Sequence, residues 1–219
     1  MKVVLFGATG MVGQGVLREC LVDPEVEAVL SVGRRATGQG HPRLRELVVQ
    51  DLTDFSAVAG DLAWCDACFY CLGVSSTGLS EAQYRHVTYE MPLAAARMLS
   101  RLNPGMTFVH VSGAGADSTE RGRVMWARVK GATENALFGM PFRAVYVFRP
   151  AFIQPLHGIR SRTAVYRVFY AALAPAYPLL KALFPRYVTT TAQVGRAMLN
   201  VARHGAPKRV LENHDINDL

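Results

Sequence analysis

Three glycines near the start of the chain have a spacing that suits phosphate binding. They follow the apolar run Lys2–Phe6 and precede apolar residues at helical spacing. Glycines in such a loop allow a tight turn, close approach of a pyrophosphate and close packing of a helix on a strand. The helix N-terminus offers free N–H groups to phosphate oxygens. This context predicts a dinucleotide-binding loop. Its expected cofactor-binding residues are Gly7, Thr9, Gly10, Met11, Val12 and Gly13.

Two arginines at the end of the second predicted strand bear on the choice of dinucleotide. An NAD-dependent enzyme usually places Asp or Glu there to bind the ribose 2′-hydroxyl, whereas this chain has Arg34 and Arg35. A guanidinium pairs with a 2′-phosphate and stacks on adenine, so NADP(H) is favoured over NAD(H). The alternative is two solvated surface arginines in an Arg-rich chain. Further cofactor contacts are expected where the next two strands end, from Asp51, Leu52, Leu72 and Gly73.

A serine and a lysine further along the chain suggest a proton-transfer site with one member replaced. Ser112 ends the fifth predicted strand, where ligands reach an open α/β sheet, and Lys130 lies on the next helix. This arrangement resembles short-chain dehydrogenases, in which a Ser, a Tyr and a Lys four residues after the Tyr transfer the proton. The Tyr position carries Trp126 here. An indole N–H donates a hydrogen bond but does not titrate usefully.

The expected roles follow from these residue types. Ser112 would bind a substrate carbonyl, Lys130 would bind the nicotinamide ribose, and an unidentified group or water would supply the proton. The alternatives are a strand-ending serine that bonds the backbone and a solvated helix lysine. His110, on a predicted central strand, is expected to be a satisfied core histidine. Four other side chains could approach the nicotinamide and are assigned no role: Tyr84, His86, Tyr89 and His157.

Three cysteines share the spacing C-x-x-C-x-x-C, which could indicate a zinc site or a cluster. Cys68 and Cys71 lie on an apolar run that reads as a buried strand, so their side chains are expected to point to opposite faces. A fourth ligand with suitable spacing is also missing. Buried, reduced thiols are therefore favoured, and no metal site is predicted.

The elements that must position these residues alternate between strand and helix. Crossover helices are the short way to join parallel strands, so the pattern predicts an α/β fold with a doubly wound parallel sheet of the Rossmann type. We expect one domain over residues 1–219, with residues 151–189 as a small helical cap on the substrate side. Two short helices, Thr163–Leu173 and Leu179–Phe184, are predicted within that cap. The strands are predicted at 2–6, 27–32, 47–50, 67–72, 107–111 and 143–148, and the main helices at 80–102, 120–138 and 192–203.

Over nearly its whole length the chain resembles the atypical short-chain dehydrogenases of the Tat-interacting-protein oxidoreductase type. The segments that carry the resemblance are GATGMVG (7–13), VGRR (32–35), CLG (71–73), SGAGAD (112–117), WARVKGATE (126–134), FRPAF (148–152), VGRAMLN (194–200) and VLENHDINDL (210–219). The resemblance implies an epimerase/dehydratase-like Rossmann fold and NADPH binding. The family carries Tyr where this chain has Trp126.

Composition and charge exclude several classes of protein. Half of the residues are hydrophobic and 19% are charged, which is typical of a packed globular chain. The formal charge of +7 resides mainly in residues 151–219, since no carboxylate side chain lies between Glu134 and Glu212. Lys and Arg occur without long runs and no recognition motif is present, so nucleic-acid binding is not expected. A substrate cap or an interface between subunits is favoured for this basic region, with a membrane surface as the minor alternative.

Two hypotheses for function remain. The first is an NADP(H)-dependent oxidoreductase acting on an unknown carbonyl or alcohol, and the second is a non-catalytic NADP(H)-binding sensor or interaction protein that has lost the tyrosine. Trp126 separates them. The chain begins as a strand entering a glycine loop and not as a signal peptide, which predicts a cytoplasmic protein, and a homo-oligomer is possible.

Overall fold

The structure, a computed structural model, describes residues 1–159 and 182–219. Nine strands lie in this part of the chain: β1 (Lys2–Phe6), β2 (Ala28–Gly33), β3 (Leu44–Val48), β4 (Ala67–Tyr70), β5 (Thr107–Val111), β6 (Ala144–Arg149), β7 (Phe152–Gln154), β8 (Val188–Thr190) and β9 (Val210–Glu212). The helices are α1 (Met11–Val22), α2 (Ala59–Leu62), α3 (Glu81–Arg85), α4 (Met91–Leu102), α5 (Met125–Phe138), α6 (Thr191–His204) and α7 (Asn213–Asp218).

Seven strands form one parallel sheet in the order β3-β2-β1-β4-β5-β6-β9. The chain order reverses between β1 and β4, and ligands of open α/β sheets bind at the carboxyl ends of strands beside such a reversal. Val3, Val4 and Leu5 are fully buried in succession, as expected for a parallel strand covered on both faces. The predicted doubly wound Rossmann sheet is confirmed.

Each face of the sheet carries its own apolar core. Val16 of α1 and Met198 of α6 pack on one face, and Leu99 of α4 and Leu137 of α5 pack on the other. The helices therefore cover both faces of the sheet. None of the helices in the described ranges is long and apolar enough to cross a membrane.

The third strand lies three residues earlier than predicted, beginning at Leu44. Arg43 explains this position. Its guanidinium donates hydrogen bonds to the backbone carbonyl of Leu21 at the end of α1 and to those of Asp23 and Val26 in the loop before β2. Its own carbonyl accepts a hydrogen bond of 2.7 Å from the N–H of Val29. These contacts fix the start of the pairing between β2 and β3.

The predicted helix from Ser80 contains a π-helical turn at His86–Glu90. Ser80 and Gln83 form the predicted capping box at its start. The π-turn has a local cause, since Pro92 has no N–H to donate to the carbonyl of Thr88. That carbonyl accepts a hydrogen bond of 2.9 Å from the hydroxyl of Thr133 on α5 instead. Because the carbonyl of Thr88 bonds to Thr133 and not to its own helix, the π-turn is tied to α5.

The predicted helix at 120–138 begins only at Met125. Asp117 holds the preceding residues in a loop, because its carboxylate accepts hydrogen bonds from the N–H groups of Thr119 and Gly122 at 3.0 and 2.7 Å. Glu120 lies in the left-handed region at φ 60°, which a helix cannot contain. The chain therefore enters α5 through a turn built on one carboxylate.

Most of the predicted cap, residues 151–189, lies outside the described residues. The helix predicted at Thr163–Leu173 lies there wholly, and the one predicted at Leu179–Phe184 lies there in its first half. The described ends of the cap, β7 and β8, form a separate two-stranded parallel sheet. The prediction for Ala192–Arg203 is confirmed, since α6 spans it with one residue more at each end.

Candidate cofactor and active site

The glycine loop between β1 and α1 leaves no room for a side chain at Gly7 or Gly13. Gly7 has a φ of +82°, and a Cβ on it would lie 2.6 Å from the backbone nitrogen of Leu72. A Cβ on Gly13 would lie 2.1 Å from the carbonyl oxygen of Gly7, and the N–H of Gly10 donates a hydrogen bond of 2.9 Å to the same oxygen. The loop is thus folded on itself beside the end of β4, at the N-terminus of α1.

A cleft of about 670 Å³ opens over this loop at the carboxyl ends of β1, β2 and β4. It contains most of the predicted cofactor residues, namely Gly7, Thr9, Gly10, Met11, Arg34, Arg35, Leu52, Leu72 and Gly73. Four predicted residues do not line it: Val12, Gly13, Asp51 and Lys130. The volume and the bare backbone of the loop fit a dinucleotide whose pyrophosphate rests on the start of α1.

Asp51 lies beside the cleft with its carboxylate turned to its own loop. It accepts hydrogen bonds from the N–H and the hydroxyl of Thr53 at 2.8 and 2.6 Å, and these bonds hold the pKa of Asp51 below its usual range. Gln50 and Leu52 line the cleft at this level instead. Asp51 therefore lies beside the cleft as predicted, but its carboxylate already accepts hydrogen bonds from Thr53.

Several cleft residues escape a reading of local sequence patterns. Ser31 is a buried polar residue within the apolar strand β2. A serine inside an apolar run is the one sequence signal that could have pointed to a cleft residue. Val87 and Met91 reach the cleft from the π-turn and the start of α4, and they look like ordinary apolar helix residues in the sequence. Cys71 also lines the cleft.

Arg34 and Arg35 follow β2 at the rim of the cleft and are both exposed. Among the described residues neither side chain makes an ion pair or a hydrogen bond. Among the other exposed arginines, Arg45 is paired with Asp61, whereas Arg97 and Arg101 also make no side-chain ion pair or hydrogen bond in the described ranges. The two guanidinium groups are therefore available to an anion in the cleft.

Ser112 follows β5 and belongs to a buried network with an ion pair. Its hydroxyl donates a hydrogen bond of 2.5 Å to Oε1 of Glu134 on α5. Glu134 is fully buried and is paired with Arg149 at the end of β6, whose Nε lies 3.1 and 3.2 Å from the two carboxylate oxygens. Arg149 also contacts Glu212 at 3.3 Å. The predicted backbone-bonding alternative for Ser112 is wrong, because its partner is a side chain.

Lys130 lies one helical turn before Glu134 and is largely buried. A Cβ placed on Gly113, the residue after Ser112, would lie 3.7 Å from both Cε and Nζ of Lys130. Burial lowers the pKa of Lys130 to about 8, although the nearby Glu134 acts in the opposite direction. The predicted alternative of a solvated helix lysine is therefore wrong. Lys130 thus lies beside the residue that follows Ser112, and the catalytic roles of the two residues stay predictions.

Trp126 lies one turn before Lys130 and covers the loop after β5. Its ring atom Cη2 would lie 3.3 Å from a Cβ on Gly115, which has a φ of +85°. The indole thus packs on a backbone that only glycine adopts readily. Trp126 is half-buried, so part of its surface stays exposed.

His110 is buried as predicted, with 2% of its surface exposed, but the prediction of satisfied hydrogen bonding is wrong. Neither ring nitrogen has a hydrogen-bond partner among the described residues. Burial, with a smaller contribution from Lys130, lowers the pKa of His110 to about 3. The ring lies 5.7 Å from that of Tyr70 on β4. A neutral imidazole therefore stands two residues before Ser112.

The cysteines follow the strand prediction. Cys68 packs in the core under α4, whereas Cys71 packs against the core under α1, so the two face opposite sides of the sheet. Burial raises the pKa of the Cys65 thiol to about 12. In the described ranges no three His, Cys, Asp or Glu side chains are grouped as metal ligands.

Known proteins resemble both the sequence and the structure. The model of the NAD-dependent epimerase/dehydratase family matches residues 3–120. Protein FMP52, mitochondrial, of Chaetomium globosum is 25% identical over 153 residues, which are 68% of this chain and 65% of that protein, just under two thirds of its length. Its namesake from Emericella nidulans is 26% identical over 207 residues, which are 91% of this chain and 86% of that protein.

Among solved structures, the Bordetella bronchiseptica enzyme WbmH in complex with NAD⁺ superimposes with a TM-score of 0.69 at 17% identity. The superposition covers 96% of this chain and 74% of that one. At this identity the likeness concerns the fold. Both fungal relatives carry the word mitochondrial in their names, and the cytoplasmic location of this chain stays a prediction.

Proposed function

The chain belongs to the NAD-dependent epimerase/dehydratase family, and on that premise we propose that it is an NADP(H)-dependent oxidoreductase acting on a small carbonyl or alcohol. The wider resemblance to atypical short-chain dehydrogenases is confirmed, while the Tat-interacting type stays a prediction. One observation carries the proposal. The glycine cradle lines the same cleft as Arg34 and Arg35, whose guanidinium groups have no partner among the described residues. A dinucleotide seated there would have its adenosine ribose beside these two groups.

The residues at the end of β5 support a reaction next to that cleft. When bound, the nicotinamide supplies or accepts a hydride, and the protein must orient the substrate and manage one proton. Ser112 and Lys130 lie at the carboxyl end of β5, two strands from β1 in the sheet. Lys130 is assigned to the nicotinamide ribose, and its burial beside Gly113 supports a role toward a ligand.

The second candidate is a non-catalytic NADP(H)-binding sensor or interaction protein. Two observations favour it over the oxidoreductase. Trp126 cannot exchange a proton, and the Ser112 hydroxyl is already donated to Glu134. Cofactor binding would then change the contacts of the cap or of a partner without turnover. The oxidoreductase and the sensor would both bind a dinucleotide in the same cleft.

Titration of the protein with NADPH and NADH by fluorescence tests the cofactor assignment. Replacing Arg34 and Arg35 together by Ser is expected to weaken NADPH binding about 10- to 100-fold, since charge-assisted hydrogen bonds contribute about 1.5–3 kcal/mol. NADH binding should stay within a few-fold. The matched control replaces Arg97 and Arg101, two exposed arginines on α4, and should change neither affinity. Equal binding of NADPH and NADH by the wild type would contradict the assignment.

Turnover separates the enzyme from the sensor. Wild type and Trp126→Tyr are assayed for NADPH oxidation with 4-nitrobenzaldehyde and 9,10-phenanthrenequinone. Turnover by the wild type supports the oxidoreductase. Turnover by Trp126→Tyr alone, with NADPH affinity unchanged, supports the sensor, because the fold then lacks only the acid.

A further inference from the structure

We propose that Lys130 is the proton donor of this site, supplying to the substrate oxygen the proton that Trp126 cannot supply. The proposal rests on the oxidoreductase function above and adds to it the identity of the acid. It goes beyond the ribose-binding role already assigned to Lys130. The geometry leaves few other donors at the carboxyl end of β5.

Ser112 cannot serve as the donor in the state that the structure describes. Its single hydroxyl hydrogen is directed to Oε1 of Glu134 at 2.5 Å, and Arg149 is paired with the same carboxylate. A hydroxyl that donates to a carboxylate has only lone pairs left to offer. A substrate carbonyl, which is also an acceptor, therefore gains no hydrogen bond from Ser112.

The two other titratable rings beneath the site are also poor acids. His110 is fully buried and neutral, because burial lowers its pKa to about 3. Tyr70 is sealed in the core, its ring stacked 5.2 Å from that of Phe6 and 6.1 Å from that of Phe108. Burial raises the pKa of Tyr70 far above its usual range. Neither ring carries a proton that it can release near neutral pH.

Lys130 meets the requirements that the other groups fail. An ammonium carries three donor hydrogens, and in the described ranges none of them has a hydrogen-bond partner. The Nζ atom lies against Gly113, the residue that follows Ser112. A group held there can reach the oxygen of a substrate that sits over the end of β5.

The charged and titratable surroundings make this ammonium a usable acid. From β5 it faces the neutral His110, and on its own helix Glu134 lies one turn away. Arg149 of β6 is paired with that glutamate. Burial lowers the pKa of Lys130 to about 8. At neutral pH the amine is therefore mostly protonated and yet much more acidic than a lysine in water.

The step balances without another reactant. The carbonyl carbon receives the hydride from the reduced nicotinamide, the carbon–oxygen double bond becomes single, and the oxygen takes a proton from Nζ of Lys130. One N–H bond breaks and one O–H bond forms. The neutral amine that remains is reprotonated from solvent, and in the alcohol-oxidising direction it acts as the base.

A titration that needs no turnover tests the acidity first. The chain contains only four lysines, Lys2, Lys130, Lys181 and Lys208, so protein labelled with ¹³C-lysine gives few Cε signals. The signal that Lys130→Arg removes is expected to titrate near pH 8 in the free protein, and bound NADPH should shift that midpoint. A midpoint above about pH 10 would overturn the proposal.

Kinetics with the Lys130→Arg variant tests the role. Arginine keeps the positive charge and the donors but does not lose a proton in this pH range. With NADPH held at a saturating concentration for each protein, we expect kcat with 4-nitrobenzaldehyde lowered at least 100-fold. Wild-type kcat should fall as pH rises through about 8, and Trp126→Tyr added to Lys130→Arg should restore part of the rate. Lys208→Arg, on the surface, is the matched control.

The outcomes distinguish the proposal for Lys130 from the proposed oxidoreductase function on which it rests. If NADPH binds, wild type turns over and Lys130→Arg keeps its full kcat, the acid is not Lys130 and the oxidoreductase function stands. If NADPH does not bind, the proposed function fails. If NADPH binds and wild type turns over neither probe while Trp126→Tyr does, the sensor is favoured and Lys130 is not a proton donor.

Discussion

The hydroxyl of Ser112 donates a hydrogen bond to Glu134, a carboxylate with no exposed surface. This bond joins the end of β5 to α5, and Arg149 extends the connection to β6 and, through Glu212, to β9. The carboxyl edge of the sheet is thus held by one buried ion pair. The orientation of Ser112 depends on a glutamate that is 22 residues away in the chain.

Removing the cation of this pair should destabilise the protein more than neutralising the anion. Arg149→Met leaves the Glu134 side chain buried and without a cation, and breaking a buried pair in this way costs about 3–5 kcal/mol. Glu134→Gln keeps a hydrogen-bond partner for Ser112 and leaves Arg149 its contact with Glu212. Urea unfolding of both variants measures the difference. Equal losses of unfolding free energy would contradict the buried pair.

Replacing His110 with Phe should stabilise the protein, most clearly in acid. Two unpartnered ring nitrogens in the core cost free energy, and an apolar ring beside Tyr70 removes that penalty. The native pKa of about 3 lies below the usual value of 6.5, so between these values only the unfolded chain binds the proton. Stability of the wild type is therefore lost as pH falls from 6.5 to 3.

The measurement is chemical unfolding of wild type and His110→Phe at pH 7, 5 and 4. The gap between the two proteins should widen as the pH falls, because the variant lacks the proton that the unfolded wild type gains. A constant gap would show that His110 takes up its proton at the same pH in the folded protein as in the unfolded chain. His204, in the last turn of α6, offers a control substitution to Phe outside the core.

Gly13→Ala should remove dinucleotide binding. Its methyl group would lie 2.1 Å from the carbonyl oxygen of Gly7, which is backbone and cannot turn aside, so the loop must open. We expect NADPH affinity lowered at least 100-fold in a fluorescence titration. Gly40→Ala is the control, because no atom lies within 4 Å of its added Cβ. Unchanged NADPH affinity in Gly13→Ala would mean that the cofactor does not rest on this loop.

The features that the sequence predicts correctly are those whose conformation is determined by residues close together in the chain. The run Lys2–Phe6, the glycine spacing after it and the capping box of Ser80 and Gln83 each carry their meaning within a few positions. The π-turn at His86–Glu90 also has a local cause in Pro92, but its helical neighbours have the apolar spacing of an unbroken helix. Boundaries such as the start of α5 depend on one hydrogen-bonding side chain, Asp117.

The network at the active edge could not be predicted, because its members meet only in the folded sheet. Ser112, Glu134 and Arg149 come from a strand end, a helix and another strand end. In the sequence Glu134 looks like an ordinary helix glutamate beside Lys130. His110 is a second example. Its burial is predictable from its place on a central strand, but its lack of hydrogen-bond partners depends on side chains that meet it only in the folded protein.

The crossing of α1 and α6 gives a prediction that separates folding from cofactor binding. A Cβ on Gly15 would lie 2.5 Å from Cβ of Thr191, and one on Gly195 would lie 2.7 Å from Cγ of Glu19. The two helices therefore approach so closely that a methyl group on either side forces them apart. Gly15 is also one turn from the phosphate-binding end of α1.

Gly15→Ala should lower stability by about 1–3 kcal/mol, the usual cost of overpacking a core. The collision is with α6 and not with the glycine loop, so NADPH affinity of the folded protein should change by no more than a few-fold. Thermal unfolding and the NADPH titration, performed on the same sample, check both parts. A loss of affinity as large as that of Gly13→Ala would mean that the spacing of α1 and α6 sets the shape of the cofactor cleft. In that case the two helices and the loop would act as a single unit.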